Sequence, residues 1–180
     1  MKEAMNIVWL KRDLRLQDHL PFLEAENNST CNYLPIYIME PSAMVYPDSS
    51  LRHWQFVYHS ILEMNTVLAT FNRKVHLLHG EAMDVFTFLS EKFDIQNVYS
   101  YQESGVKATW NRDKNVSSLF KSKSIKWTEF QRDGIIRGIK NRVNWDKNWF
   151  AVVNSPLILN VYSQNESLEK SFPFDLPEKL

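Results

Sequence analysis

The amino-acid sequence predicts an α/β fold: a five-stranded, doubly wound parallel sheet with helices on both faces. Two observations support this prediction. Short apolar runs rich in Val, Ile, Tyr, Trp or Leu alternate with helix-length amphipathic segments, which is the pattern of repeated strand-helix-strand units. Several of the runs are almost continuously apolar, as strands covered on both faces tend to be. For such a Rossmann-like sheet we expect the strand order 3-2-1-4-5.

Strands and helices are predicted in strict alternation from the N-terminus. The five strands span residues 6–10, 32–39, 74–78, 97–101 and 124–130. A short helix over residues 18–26 follows the first strand, with Asp18 as its N-cap and Pro21 in its first turn, where proline is tolerated.

The longest predicted helix begins after Ser49 or Ser50, either of which is a suitable N-cap, and continues to Phe71. Further helices are expected at residues 81–93 and 104–121. After about residue 130 the alternation stops, and Gly134, Gly138 and several prolines indicate an exit segment or linker.

Composition limits the classes of function. The chain has 180 residues, of which 44% are hydrophobic, so it can bury the core of about one domain. Its 21 Lys and Arg residues balance 21 Asp and Glu residues, which excludes a strong overall field for nucleic acid or membrane. A single cysteine, Cys31, and the lack of an apolar run of ~20 residues predict a cytoplasmic protein without a membrane partner.

A group of charged residues directly follows the first predicted strand, in the stretch "VWLKRDLRLQDHLPFL". In an open parallel sheet, ligands bind beyond the carboxyl ends of the strands, where the chain order reverses. Residues Lys11 to Arg15 would lie at that edge, beside the residues that end the second and fourth strands. The alternative is a self-satisfied ion-pair cluster that fixes the corner between strand and helix.

Glycine-rich phosphate-binding turns are absent from the sequence. Neither G-x-G-x-x-G nor G-x-x-x-x-G-K-[ST] occurs, and the chain has only 4 glycines, none before Pro21. The backbone of the first turn therefore does not approach a pyrophosphate easily, which argues against a nucleotide bound in that turn.

Five stretches, in the order of the chain, resemble the photolyase and cryptochrome family. "IVWLKRDLRLQDHLPFLEA" is similar to its opening signature, an apolar V-W-[FL] followed by x-R-x-D-L-R-x-x-D-N. "IYIMEP" resembles the second strand and its turn, and "LRHWQFVYHSI" resembles the next helix. "SYQESGVKATWNRD" and the Arg-Asp-Gly at 132–134 also match, so the resemblance covers about residues 6–150. One departure is His19, where the family commonly has Asn.

The resemblance implies an N-terminal α/β antenna domain at residues 1–131, followed by an interdomain linker at 132–180. In relatives such a domain can hold a light-harvesting chromophore: a reduced folate, a deazaflavin or FMN. The catalytic FAD belongs to a following helical domain, which this chain lacks. The parent would then be a deoxyribodipyrimidine photo-lyase or a cryptochrome, meeting damaged DNA only through its other parts, and this chain alone is predicted to be inactive.

The resemblance also implies a set of chromophore-binding residues. They are Arg12, Asp13, Leu14, Ile38, Met39, Glu40, Arg52, His53 and Glu103. The arginine of the family's helix motif corresponds either to Arg52 or to His53. For Glu103 the alternative is a solvated charge at the start of the following helix.

Other residue types give weaker signals. No catalytic triad or metal-ligand spacing is evident, so we assign no catalytic or metal-binding residue. Trp9, Trp54, Trp110 and Trp127 are expected in the core, and the tryptophans at 145 and 149 on a docking surface of the linker. Two rival functions remain: a stand-alone nucleotide-binding module and a protein-interaction module.

Overall fold

A computed structural model describes residues 1–165 and 170–176 of the chain. The strands are β1 (Glu3–Leu10), β2 (Tyr33–Met39), β3 (His76–His79), β4 (Phe93–Tyr101) and β5 (Lys126–Phe130). The α-helices are α1 (Leu20–Asn27), α2 (Pro41–Met44), α3 (Leu51–Leu68), α4 (Ala82–Lys92), α5 (Lys107–Ser122) and α6 (Trp145–Val153), and a 3-10 turn, Ala69–Phe71, extends α3.

The predicted sheet is confirmed. All five strands are parallel, and they lie in the order β3-β2-β1-β4-β5. The central strand is β1, where Val8 lies beside Pro35 of β2 and Tyr99 of β4. The strands β1 and β4 start earlier than predicted, because residues 3–5 pair with residues 93–95 beyond an irregularity between Met5 and Asn6.

The core has two layers, one on each face of the sheet. Ile7 and Trp9 of β1 point into the layer under α4 and α5, with Phe86. Val8 and Leu10 point into the opposite layer, under α1 and α3. Successive side chains of a strand alternate between faces, so a strand covered on both sides must be apolar at every position. This is why Ile7 to Leu10 of β1 form a continuous apolar run, whereas the buried Asn6 accepts a hydrogen bond from Asn97.

The start of α1 differs from the prediction. The N-cap is His19, whose Nδ1 accepts a hydrogen bond from the backbone N–H of Phe22 at 3.2 Å, so the assignment of Asp18 was wrong. Asp18 instead has a left-handed backbone (φ 55°), and its carbonyl accepts both Nε and Nη2 of Arg15. At α3, Ser50 is the N-cap residue, but its side chain makes no capping hydrogen bond.

The described part of the predicted linker folds back onto the domain. It contains an unpredicted helix, α6, none of whose residues is buried. Beyond α6, Asn160 and Tyr162 are buried beside α1, and Phe172 joins the core layer under α4. Residues 166–169 and 177–180 of that segment lie outside the described residues. The division at residue 131 stays a prediction.

The tryptophans assigned to the core from the sequence differ in their burial. Trp110 is 47% exposed on α5, so its assignment to the core was wrong, whereas Trp9 is buried as expected.

Among the described residues, no helix is long and apolar enough to cross a bilayer. The same residues contain no cluster of three or more His, Cys, Asp or Glu side chains arranged to hold a metal ion.

Candidate functional site

Side chains from three strand ends meet at the carboxyl edge of the sheet. Arg12 follows β1, Glu40 follows β2 and Glu103 follows β4. The Nε of Arg12 donates to Oε1 of Glu103 at 3.0 Å. The strand order brings these loops together, because β1 lies between β2 and β4. The three loops therefore meet at one edge as predicted, and their charged groups are paired with one another. We call this edge the crevice.

Arg112 of α5 lies at the centre of this group, although sequence reasoning did not select it. Its guanidinium donates to Glu40 at 2.8 Å, to Glu103, and to Asp113 at 2.8 Å. The side chain is only 15% exposed, and its guanidinium carbon is 5.1 Å from the centre of the Trp9 ring. Burial opposes the charged form of Arg112, but the three carboxylates outweigh it and raise its pKa.

The carboxylates bound to Arg112 are themselves buried. Glu40 is 8% exposed and Glu103 is 6% exposed at the side chain. Burial raises the pKa of Glu40, partly opposed by Arg112 and by the backbone N–H of Ala82. Because Glu103 is buried and α5 begins only at Lys107, the interpretation of Glu103 as a solvated charge at a helix start was wrong.

Lys11 extends the network toward the edge strand β5. Its Nζ is 3.1 Å from Asp113 and 3.8 Å from Glu129, and it lies 4.2 Å from the centre of the Trp9 ring. Burial lowers the pKa of Lys11, although the two carboxylates act in the opposite direction. Alternating charges thus continue along the carboxyl edge from β2 to β5.

Asp13 is buried in the loop between β1 and α1, where it holds the loop in place. Its Oδ2 is 2.7 Å from Nε2 of His19, and its Oδ1 accepts the backbone N–H of Lys11 at 2.9 Å. Since Nδ1 of His19 is the acceptor in the cap of α1, the proton of the neutral ring is on Nε2. Burial opposes ionisation of Asp13, but the hydrogen bond and electrostatic attraction to His19, the N–H of Lys11 and the charge of Arg132 outweigh it and lower the pKa of Asp13.

The remaining predicted site residues are distributed differently. Leu14 packs against the core layer under α1, and Ile38 and Met39 are buried in β2. Arg52 and His53 are exposed in the first turn of α3, and no hydrogen bond or ion pair joins their side chains to the network in the part of the chain that the structure describes. The chromophore-binding role of all nine residues stays a prediction.

Together the sheet order and this edge define a Rossmann-like α/β domain whose crevice is lined by ion-paired side chains, with no glycine-rich turn. The chain belongs to the DNA photolyase family, whose model matches residues 6–139. It is 28% identical over 131 residues to a deoxyribodipyrimidine photo-lyase of Salmonella typhimurium, a match that covers 73% of this chain and 24% of that protein.

Solved structures of related proteins have the same fold. A cryptochrome of Synechocystis sp. superimposes with a TM-score of 0.79 at 14% identity, over 98% of this chain and 40% of that one. An archaeal photolyase of Sulfolobus tokodaii superimposes with a TM-score of 0.64 at 18% identity, over 91% of this chain and 37% of that one. It was solved with two FAD molecules, with the implication of a novel light-harvesting cofactor. The chain therefore spans about a quarter of the length of the photo-lyase and two fifths or less of these solved chains.

Proposed function

We propose that this chain is the light-harvesting domain of a photolyase or cryptochrome, and that its crevice binds a flat heteroaromatic chromophore. Family membership supports the proposal. The observation on which it chiefly rests is the meeting of Arg12, Glu40 and Glu103 at one edge of the sheet. The light-harvesting cofactor implied for the Sulfolobus tokodaii photolyase is consistent with such a role.

The residues of the edge fit such a ligand. Glu40 and Glu103 offer acceptor oxygens for the ring N–H groups of a pterin or flavin, and Arg12 offers a cation for an acidic tail. The side chain of Arg12 is 61% exposed, so its ion pair with Glu103 contributes about 0–1 kcal/mol and opens easily. When bound, the chromophore would supply absorption of light and transfer of the energy to a second pigment.

The other predicted site residues would support the proposed chromophore site or extend it. Asp13 would fix the loop through His19, while Leu14, Ile38 and Met39 would form its apolar floor. An acidic tail that extends from the crevice toward α3 would meet Arg52 or His53, which are exposed there.

The activity of a whole protein is part of the same proposal. A C-terminal helical domain with FAD would pack against this domain, and the assembled cytoplasmic protein would use blue light for repair of pyrimidine dimers in DNA or for signalling. The FAD and the lesion pocket that these reactions need would belong to that helical domain. We expect neither photoreduction nor dimer repair from this chain alone.

Binding of a chromophore can be tested on the purified chain. FMN, a 5-deazaflavin and a reduced folate are titrated separately, and their absorption in the near ultraviolet and visible is followed together with sedimentation of the bound pigment. We expect saturable binding of at least one of the three. Arg12→Ala should weaken it about tenfold, because a hydrogen bond to a charged group is lost.

A matched control is Lys123→Ala, which removes an exposed cation after α5 and should leave chromophore affinity unchanged. Far-ultraviolet circular dichroism shows that each variant is folded. Failure of all three pigments to bind, or equal affinity of the Arg12→Ala variant and the original chain, would refute the proposed antenna role.

A further inference from the structure

A cavity lies outside the crevice, at the edge of the sheet formed by β5. It has a volume of about 720 Å³ and lies between α5, β5 and residues 137–138. Small-molecule sites typically occupy ~300–1,000 Å³. β5 is the edge strand, so no further strand lies beyond it. Trp127 and Glu129 of β5, and Ile125 just before it, therefore line an open space beside α5.

The wall formed by β5 is aromatic and rigid. Nε1 of Trp127 donates to Oγ of Ser100 at 3.0 Å, and the indole packs edge-on against Phe120 with ring centres 5.5 Å apart. Trp9 and Nζ of Lys11 also contact this indole, 5.7 Å and 5.0 Å from its ring centre, so a ligand meets only the part of Trp127 that lines the cavity. Because the ring is already fixed by these contacts, it loses little conformational entropy when a ligand binds.

Trp110 of α5 is the second indole that lines the cavity. Nearly half of its surface is exposed, and it belongs to neither core layer. Core packing therefore does not explain this large apolar side chain. Its position beside an open cavity suits contact with a planar ligand, since stacking of a base on an aromatic side chain contributes ~1–3 kcal/mol.

The cavity also has an excess of unpaired positive charge. Lys114 and Lys121 line it from α5, both are exposed, and neither side chain has an ion-pair partner among the described residues. They are seven residues apart, which is about 10 Å along a helix. The two carboxylates of the lining already have partners: Asp113 pairs with Arg112 and Lys11, and Glu129 pairs with Lys11 and with Arg137, which also lines the cavity.

We infer that the cavity between α5 and β5 binds a planar aromatic anion of the nucleoside monophosphate class. The base would stack on Trp110 and contact Trp127, and the phosphate would lie near Lys114 or Lys121. This site needs no glycine-rich turn, and it is independent of the proposed chromophore site. Asp113, Glu129 and Lys11 separate the two sites.

The experiment uses adenosine 5′-monophosphate as the probe, with adenosine as the uncharged comparison. Binding to the whole chain is measured by calorimetry and by quenching of tryptophan fluorescence. We expect saturable binding of the monophosphate and weaker binding of adenosine. Trp110→Ala should weaken binding at least about fivefold through loss of stacking. Replacing Lys114 and Lys121 together with Gln should remove most of the preference for the monophosphate over adenosine.

Two control variants locate the site. Lys123→Gln removes an exposed cation that does not line the cavity, and Arg12→Ala changes only the crevice. Neither should alter affinity for the monophosphate. The inference is overturned if the monophosphate does not bind, if Trp110→Ala leaves its affinity unchanged, or if Arg12→Ala weakens it as much as Trp110→Ala does. The substituted residues are exposed, so thermal melts should confirm that all variants fold.

Discussion

Replacement of Arg112 by Met removes the cation that holds the crevice together. Its guanidinium is 2.8 Å from Glu40, and it also bonds Glu103. Methionine keeps much of the aliphatic volume over Trp9, so the change acts mainly on charge. In the variant Glu40 loses its only ion-pair partner in the described part of the chain, and Glu103 keeps only the exposed Arg12.

The expected loss of stability follows from this burial. Removal of one partner of a buried ion pair costs about 3–5 kcal/mol, because a charge remains in a poorly solvated place. The partial exposure of Arg112 and the remaining contact of Glu103 with Arg12 favour the lower end of that range, about 3 kcal/mol. For a chain of this size that corresponds to a decrease in Tm of about 6–12 °C.

The loss should depend on pH in a definite direction. Burial already raises the pKa of Glu40, and loss of Arg112 raises it further. A carboxyl whose folded pKa exceeds its unfolded value is best tolerated below the unfolded pKa, and stability falls as pH rises through the folded pKa. The deficit of Arg112→Met should therefore be larger at about pH 7.5 than at about pH 5.

Urea denaturation followed by circular dichroism at both pH values measures this deficit. Lys123→Met serves as the exposed control and should change the free energy of unfolding by less than about 0.5 kcal/mol. The double variant Arg112→Met with Glu40→Gln should regain part of the loss. A deficit below about 1 kcal/mol at neutral pH, or one that does not decrease in acid, would contradict the claim that Arg112 neutralises buried carboxylates.

Three further substitutions test other contacts. Asp13→Asn should cost about 2 kcal/mol at neutral pH, because an amide cannot satisfy both His19 and the backbone N–H of Lys11. Since the folded pKa of Asp13 is lowered, this deficit should disappear in urea titrations as pH falls through that pKa, and a constant deficit would contradict the assignment. Asn160→Ala should lower the free energy of unfolding by about 2 kcal/mol, because it breaks hydrogen bonds to the N–H and C=O of His19; an unchanged Tm would show that the tail is not held there. Trp149→Ser should cost about 1 kcal/mol in thermal melts, because the indole packs on Trp145 and Phe150 of its own helix; a loss above about 3 kcal/mol would show that it belongs to the core.

The sheet could be predicted because its physics is local. A strand covered on both faces requires a nearly continuous apolar run, and Ile7 to Leu10 of β1 form such a run in the sequence. The start of α1 was harder, because Asp18 and His19 are both able to cap and the choice depends on contacts of Arg15 with the backbone of Asp18. The helix α6 has apolar residues at helical spacing, Trp145, Trp149 and Val152, so its pattern was readable. It was missed because the neighbouring glycines and prolines led to the assignment of the whole segment as a linker.

The candidate site was predictable in part for a similar reason. Residues that directly follow a strand must lie at the carboxyl edge, and this rule places Arg12, Glu40 and Glu103 correctly. Arg112 escaped it because it lies on α5, nine residues after Glu103, and reaches the edge through the length of its side chain. The tail residue Asn160 escaped it because its partner, His19, is 141 residues away in the chain.

The positive and negative charges of the crevice balance one another, which limits how the proposed ligand could bind. The whole chain has equal numbers of acidic and basic residues, and the crevice repeats this balance locally, since each buried carboxylate faces a buried cation. An anionic tail cannot simply add to such a network without exposing one carboxylate to repulsion. It must replace Glu103 as the partner of Arg12, the pair with the most exposed cation. If this edge binds an anionic ligand as proposed, binding would exchange one ion pair for another. Its affinity should then depend less on salt than that of the proposed site beside β5, where Lys114 and Lys121 have no ion-pair partner among the described residues.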